Sequence, residues 1–326
     1  MADFYKNKIF DFAAKSKATR LSFGEELAKL GETNKSIVAL DADLAKSTRT
    51  DLFAAKFPER FFDMGIAEAN MIGTAAGMAN AGMIPFCASF GCFLTGRFDQ
   101  IRMSVSFTGA NVRLVGTHSG VGIGEDGHSQ MALEDLGLMR ALPNMTVFQP
   151  ADDSDTRNFI GWSLLNHGPC YLRLTRQNMP VIKTDESYKF QVGQWQVLSH
   201  FQADTKIVIL ASGGALPAAV EAADILSENI VGPIGIVNAN WIQPIDAKYL
   251  TQVLGLKPKL VVTVEDHYRN GGLGSAVAEF FSGFENTPKL LRIGVEGFGQ
   301  SGSPEDNYQH YGFTGPAISK KILSEL

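Results

Sequence analysis

Short apolar runs alternate with stretches of helical spacing along most of the chain, and that alternation restricts the fold more than any other feature. SIVAL (36–40), MIPFCAS (83–89), NVRLVG (111–116), MTVF (145–148) and CYLRL (170–174) are brief and almost wholly apolar. Runs of this kind are strands buried on both faces. Between them, residues 21–30, 68–81 and 153–165 carry apolar side chains at helical spacing. A strand returns parallel to its predecessor only through a long crossover, and helical crossovers cover both faces of the sheet. The expectation is a doubly wound α/β fold.

A second series obeys the same rule. KIVILASGG (206–214), PIGIVNA (233–239), KLVVTVEDH (259–267) and KLLRIGV (289–295) read as strands, with helices at 215–228, 246–254, 275–281 and 316–326. The join falls in RQNMPVIKTDESYKFQVG (176–193), which is polar, contains Pro180 and lacks a helical period. Two doubly wound α/β domains are expected, over residues 1–188 and 189–326. The 326-residue length suits two such domains, and a 45% hydrophobic composition supplies their cores and excludes a disordered chain.

Charge and cysteine content exclude further classes. A net charge of −5 leaves no basic stripe for nucleic acid or for an anionic membrane surface. Cys87, Cys92 and Cys170 form no CxxC pair, so a structural zinc site is not expected, and the sparse thiols suit a reduced cytoplasm. MADFYKNKIFDFAAKSK has no continuous apolar core and does not read as a signal peptide. The small-apolar stretch at 65–86 is broken by Glu68, Asn70 and Asn80, which favours a buried helix over a membrane span.

Two segments carry chemistry. THSGVGIGEDGHSQ (117–130) follows the strand NVRLVG, and Gly122, Gly124 and Gly127 have GxGxxG spacing. One reading is therefore a dinucleotide site of an NAD-dependent oxidoreductase. Glu125 and Asp126 stand inside that fingerprint, where they would repel a pyrophosphate. His118, Asp126 and His128 instead place polar groups at the carboxyl end of a strand, where open α/β sheets bind ligands. The same residues lack an accepted metal-ligand spacing, and NGGLGSAV (270–277) reads as a tight strand-to-helix turn. In DMGIAEANMIGTAAGMANAG (63–82), Glu68 sits among Ala, Gly, Met and Ile. An unpaired carboxylate there is costly. Either a helix N-terminus satisfies it or catalysis retains it. PFCASFGCFLTGRFDQIR (85–102) adds Phe86, Phe90, Phe93 and Phe98, a spacing that serves a core as readily as a ligand platform.

Taken together these segments resemble the transketolase family, in its C-terminal half. The resemblance runs from ATRLSFGEEL (18–27) to the end, through DADLAKS (41–47), MGIAEANMIGTAAGMA (64–79), THSGVGIGEDG (117–127), LPNMTVFQPAD (142–152) and LRLTRQNMP (172–180). It implies a pyrimidine-binding domain followed by a transketolase C-terminal domain. It also implies a thiamine diphosphate cofactor whose pyrimidine half is bound here. The family's GDG motif for the diphosphate and its Mg²⁺ does not occur in this sequence. The resemblance therefore implies the second subunit of a split transketolase. An N-terminal diphosphate-binding subunit would hold the Mg²⁺ or Ca²⁺, and pairing of both chains would give a heterotetramer.

By the same resemblance, Glu68 hydrogen-bonds N1′ of the aminopyrimidine and favours the imino tautomer, whose 4′-nitrogen takes the C2 proton. Phe90 and Phe93 contact the pyrimidine ring, and Asp43 stands near the cofactor at the subunit junction. Arg20, Ser47, His118 and Arg176 grip a sugar phosphate, and Asp126 reads a substrate hydroxyl. Two departures bear on the sugar. The family usually has a histidine where this chain has Gln130, with His128 two residues earlier. Its third ring-contacting aromatic corresponds to Gly96, which leaves a more open pocket or one filled by Phe98. These departures suit an unusual ketose such as apulose 4-phosphate. A 2-oxoacid dehydrogenase β-subunit and a deoxyxylulose-phosphate synthase would share the acid-bearing helix, but the 117–127 loop and LTRQN fit transketolase better.

Overall fold

The computed structural model describes residues 3–183, 188–230 and 232–326. Its first sheet contains β1 (Ile37–Asp41), β2 (Phe61–Asp63), β3 (Ile84–Phe90), β4 (Arg113–Thr117), β5 (Thr146–Phe148) and β6 (Cys170–Arg173). All six run parallel, in the order β5-β6-β4-β3-β1-β2. Every residue of β1, β4 and β6 is buried, as the uniformly apolar runs require.

The second sheet is built from β7 (Gln196–Ser199), β8 (Ile207–Ala211), β9 (Ile234–Asn238), β11 (Leu260–Tyr268) and β12 (Lys289–Val295), while β10 (Trp241–Gln243) departs from it. The order is β7-β9-β8-β11-β12, parallel except for β7, which runs antiparallel at the edge. β10 crosses to the first sheet and pairs antiparallel with β5 as a seventh strand. Trp241, fully buried, meets Phe148 at a centroid distance of 4.9 Å, Trp162 at 5.0 Å and Phe190 at 5.5 Å.

The N-terminal helix Phe4–Ile9, expected within the first unit, packs in the second core. Tyr5 and Ile9 lie in the same apolar cluster as Val220 and Ile234, and the backbone N–H groups of Tyr5 and Lys6 donate to the Asp224 carboxylate at 2.6 and 3.0 Å. Among the described residues no helix is long and apolar enough to cross a membrane, and the stretch expected to be a buried helix is Glu68–Asn80.

Two buried polar knots join the halves. Arg173 at the end of β6 donates through Nε to both Asp135 oxygens (3.1 and 2.8 Å) and through Nη1 to Asp266 Oδ1 of β11 (2.8 Å). Its remaining nitrogen donates to the Ala132 carbonyl at 2.9 Å, so the planar fork is fully used. The second knot is Asp155, which accepts from the Ala151 N–H at 3.1 Å and from the Asn238 and Asn240 amides at 3.0 and 2.8 Å. Burial, then the neighbouring Asp152, pushes the Asp155 carboxyl up to about 7.

Candidate functional site

Parallel strands joined by helical crossovers present all their carboxyl ends at one edge, and there the candidate residues stand in a row. Asp43 follows β1, Glu68 follows β2, Phe90 ends β3 with Phe93 one turn on, the 117–130 loop follows β4, and Arg176 follows β6. Arg20 lies in the first turn of the helix Thr19–Thr33, which runs into β1 from that edge, and Ser47 lies in the short helix Ala45–Thr48 after β1.

Glu68 opens the helix Glu68–Asn80 and is 6% exposed. The helix dipole favours its charge. Among the described residues its carboxylate meets no hydrogen-bond partner, and its oxygens are not among the fully enclosed polar atoms, so they stay open to solvent or to a ligand. Asp63 ties the approach to it in place by accepting from the Asp43 and Gly65 N–H groups, both at 3.0 Å. Asp43 adopts a left-handed backbone (φ 62°) with its side chain exposed. Two residues before the acid, Ile66 is 84% exposed.

The rings form a stack. Phe90 and Phe93 lie 5.5 Å apart and 9° from parallel, and Phe90 also stacks on His118 at 3.8 Å. His118 is buried in a left-handed conformation (φ 57°). Burial, then the charges of Arg20 and Arg176, pushes its imidazole down to about 3, so the ring is neutral at physiological pH. The Thr117 hydroxyl donates to the Ser89 carbonyl at 3.2 Å and is left to accept from His118 Nδ1–H at 2.9 Å. The bare nitrogen of His118 is therefore Nε2.

Cationic groups surround that ring. Arg20 donates to the Ser47 carbonyl at 2.5 Å, so the atom of Ser47 that it holds is main-chain. Its guanidinium is pushed below the usual range by burial and then by the charges of Arg176 and Arg49. Arg176 donates to the Ile123 carbonyl and pairs with exposed Glu125 at 3.2 Å. Arg49 faces Asp51 at 3.6 Å. Arg176 and Arg49 thus both repel Arg20, and Arg20 and Arg176 act on a neutral histidine, an arrangement that an anion relieves.

The structure joins Phe90, Phe93, His118, Arg20, Ser47 and Arg176 by direct contact or mutual charge. Asp126 is exposed, and neither it nor the Gln130 side chain meets a hydrogen-bond partner among the described residues. His128 accepts at Nδ1 from the Gly299 N–H and meets the Phe298 ring edge-on. Gly96 is exposed at the end of the helix Gly91–Thr95. Phe98 does not fill its place: it packs on the first core and lines an apolar hollow with Phe107, Leu142 and Pro143. The dinucleotide reading also falls. No helix opens at the glycine loop, which passes through the single turns Val121–Ile123 and His128–Gln130 and so offers no helix N-terminus to a pyrophosphate.

Residues 15–181 match the transketolase pyrimidine-binding domain and residues 193–318 the transketolase C-terminal domain. The chain belongs to the transketolase family. A Methanocaldococcus jannaschii protein named as a transketolase C-terminal section is 41% identical over 313 residues, covering 95% of this chain and 96% of its own. Transketolase of Rattus norvegicus is 37% identical over 306 residues, 94% of this chain but 48% of the rat protein. The chain thus spans about half the length of the animal transketolases it matches. A solved split-gene transketolase, described as an inactive β4 tetramer, superposes with a TM-score of 0.85 at 39% identity, covering 95% of this chain and 98% of that one.

Two features of this transketolase-family site escaped the sequence. Arg49 joins the cationic group from a left-handed position (φ 73°) just beyond the short helix. Its only local signal was a second arginine close to Ser47. The other is the contact of the 117–130 loop with the C-terminal half, a long-range pairing that local pattern does not encode.

Proposed function

We propose that this chain is the pyrimidine-binding subunit of a two-chain transketolase that depends on thiamine diphosphate and moves a two-carbon ketol unit from a ketose phosphate to an aldose phosphate. The observation that carries the proposal is Glu68, a buried carboxylate without a protein partner on the same sheet edge as a stacked aromatic pair. That pairing of acid and rings fits an aminopyrimidine, which needs a proton partner at N1′ and a flat apolar face. When bound, the cofactor supplies the carbanion-stabilising chemistry that side chains lack. Glu68 holds and moves the proton at N1′. Phe90 and Phe93 orient the ring and exclude water. Asp43 borders the cofactor at the junction between chains.

Arg20, Arg176 and the carbonyl-bearing turn at Ser47 hold the sugar phosphate, with Arg49 adding to the positive field. His118 Nε2, bare and neutral, accepts from a substrate hydroxyl, and Asp126, His128 and Gln130 contact the sugar from the loop. Among the described residues no three His, Cys, Asp or Glu side chains cluster to hold a metal ion. We therefore assign Mg²⁺ or Ca²⁺ and the diphosphate to an N-terminal partner subunit. Exposed Ile66 beside Glu68 marks the wall that this partner completes. Two copies of each chain make a heterotetramer, and copies of this chain alone are inactive, as in the β4 tetramer above. We divide the pyrimidine-binding and C-terminal domains at 188/189 and place the activity in the cytoplasm, where three free thiols stay reduced.

The test is reconstitution. Purified chain is assayed with thiamine diphosphate and Mg²⁺, alone and with a separately expressed diphosphate-binding chain from the same genome. Ketol transfer is expected only from the pair. Turnover by this chain alone, or none from the pair, overturns the reading. A second substrate reading rests on Gly96: with no side chain there the site has room for a branched ketose, and apulose 4-phosphate should outcompete xylulose 5-phosphate in the same assay.

A further inference from the structure

We propose that the C-terminal half is a specificity element of this site: Phe298 and Gly299 fix His128 as the tautomer that donates a hydrogen bond to substrate hydroxyls. The inference rests on the transketolase reading above and deepens it. The loop that carries His128 leaves β4 of the first sheet, yet its apolar side chains belong to the other half. Val121, Ile123, Met131 and Leu133 are buried in one cluster with Phe313 and Ile318 of the C-terminal half.

The polar anchors come from the same side. Asn307 donates its side-chain amide to the Val121 carbonyl at 3.3 Å, and the Ser301 hydroxyl donates to the Glu125 carbonyl at 2.5 Å. The Gly299 N–H donates to His128 Nδ1 at 3.0 Å. Behind the loop, Gln177, the neighbour of Arg176, donates to the Tyr308 hydroxyl at 2.8 Å, which donates in turn to Asp266 at 3.1 Å. The loop is thus bolted along its length to residues 299–308.

For His128 this attachment has a chemical consequence. A ring nitrogen that accepts a hydrogen bond carries no proton, so the proton of the neutral imidazole sits on Nε2. His118 is the reverse, with Nδ1 donating and Nε2 bare. The two histidines then offer one donor and one acceptor, the complement that a polyol needs. Phe298 sets the plane of the His128 ring by an edge-on contact with centroids 4.8 Å apart. It is 79% exposed, so its burial contributes little to folding. Phe298 is a positioning residue.

The tautomer can be read directly. In the full chain with ¹⁵N-labelled histidine, ring-nitrogen NMR is expected to show His128 protonated at Nε2 and His118 at Nδ1. A proton on Nδ1 of His128 overturns the proposal. Gly299→Pro removes the donor and should mix the His128 tautomers; should that variant not fold, Phe298→Ala supplies the second measurement. In the reconstituted pair, Phe298→Ala is expected to raise KM for the ketose phosphate about 2–10-fold, the worth of one hydrogen bond, with kcat changed less than about twofold. Combined with His128→Ala it should add no further loss. Independent, multiplying losses overturn the proposal. Absence of turnover in the unmodified pair would instead overturn the transketolase reading, while the tautomer measurement stands on its own.

Discussion

The seam between the halves and the carboxyl edge of the first sheet are both crowded with charged side chains, and they differ in how those charges are met. At the seam, Arg173 spends its donors on Asp135, Asp266 and a carbonyl, and Asp155 has three donors of its own. At the edge, Glu68 is 6% exposed with no protein donor among the described residues, and Arg20 has two other guanidinium groups for neighbours. A satisfied buried charge holds a structure together, whereas an unsatisfied one is kept for something that binds. The contrast separates scaffold from chemistry without reference to any relative.

Four substitutions test that contrast. Glu68→Gln keeps shape and removes the exchangeable acid. Its ketol transfer should fall about 10²–10⁴-fold with an unchanged melting temperature; a loss of stability in place of activity would make Glu68 a seam-type residue. Arg173→Met strands two buried carboxylates and should cost about 3–5 kcal/mol in urea unfolding. A cost below about 1 kcal/mol would remove the seam's structural role.

Glu265 in β11 gives a pH-dependent version. It accepts the N–H groups of Leu273 and Gly274 at 2.7 and 2.8 Å, yet burial outweighs them and pushes its carboxyl from 4.5 up to about 7. Between those values the folded chain holds a proton that the unfolded chain has released. Its stabilising contribution is complete below pH 4.5 and lost as pH rises through 7. Glu265→Gln has no such dependence, so its stability relative to the parent should climb from pH 5 to pH 8, by up to ~3 kcal/mol. A constant difference would place the Glu265 proton elsewhere. Arg176→Ala, at the edge, should weaken phosphorylated substrates by about 1.5–3 kcal/mol more than their unphosphorylated counterparts, read as the ratio of kcat/KM. Equal losses would separate Arg176 from the phosphate.

What the sequence disclosed follows the same division. The apolar runs are β1, β3, β4, β5, β6, β8, β9, β11 and β12, within a residue or two except at the end of β8, because burial leaves a local signature. β2 has three residues and β7 is half polar at an edge, so neither stands out from a loop. β10 is legible only through its pairing with β5, which lies nearly a hundred residues away. At the site, Glu68, Phe90, Phe93, His118, Arg20 and Arg176 stand where an α/β sheet presents its ligand residues. Between an open pocket and one filled by Phe98 the sequence did not choose, because aromatic spacing along a helix does not say which neighbour each ring meets. The attachment of the 117–130 loop to residues 299–308 was hidden for the same reason as β10: both are long-range.

The strand lent by the second half to the first also limits how this polypeptide can be divided. A truncation after residue 188 would strip β10 from β5 and leave a bare row of main-chain donors and acceptors beside the exposed rings of Phe148 and Phe159. Such an edge recruits other strands, and the fragment would aggregate instead of folding on its own. An experimenter who wants the pyrimidine-binding half in isolation must carry Trp241–Gln243 along with it, by circular permutation or as an added peptide.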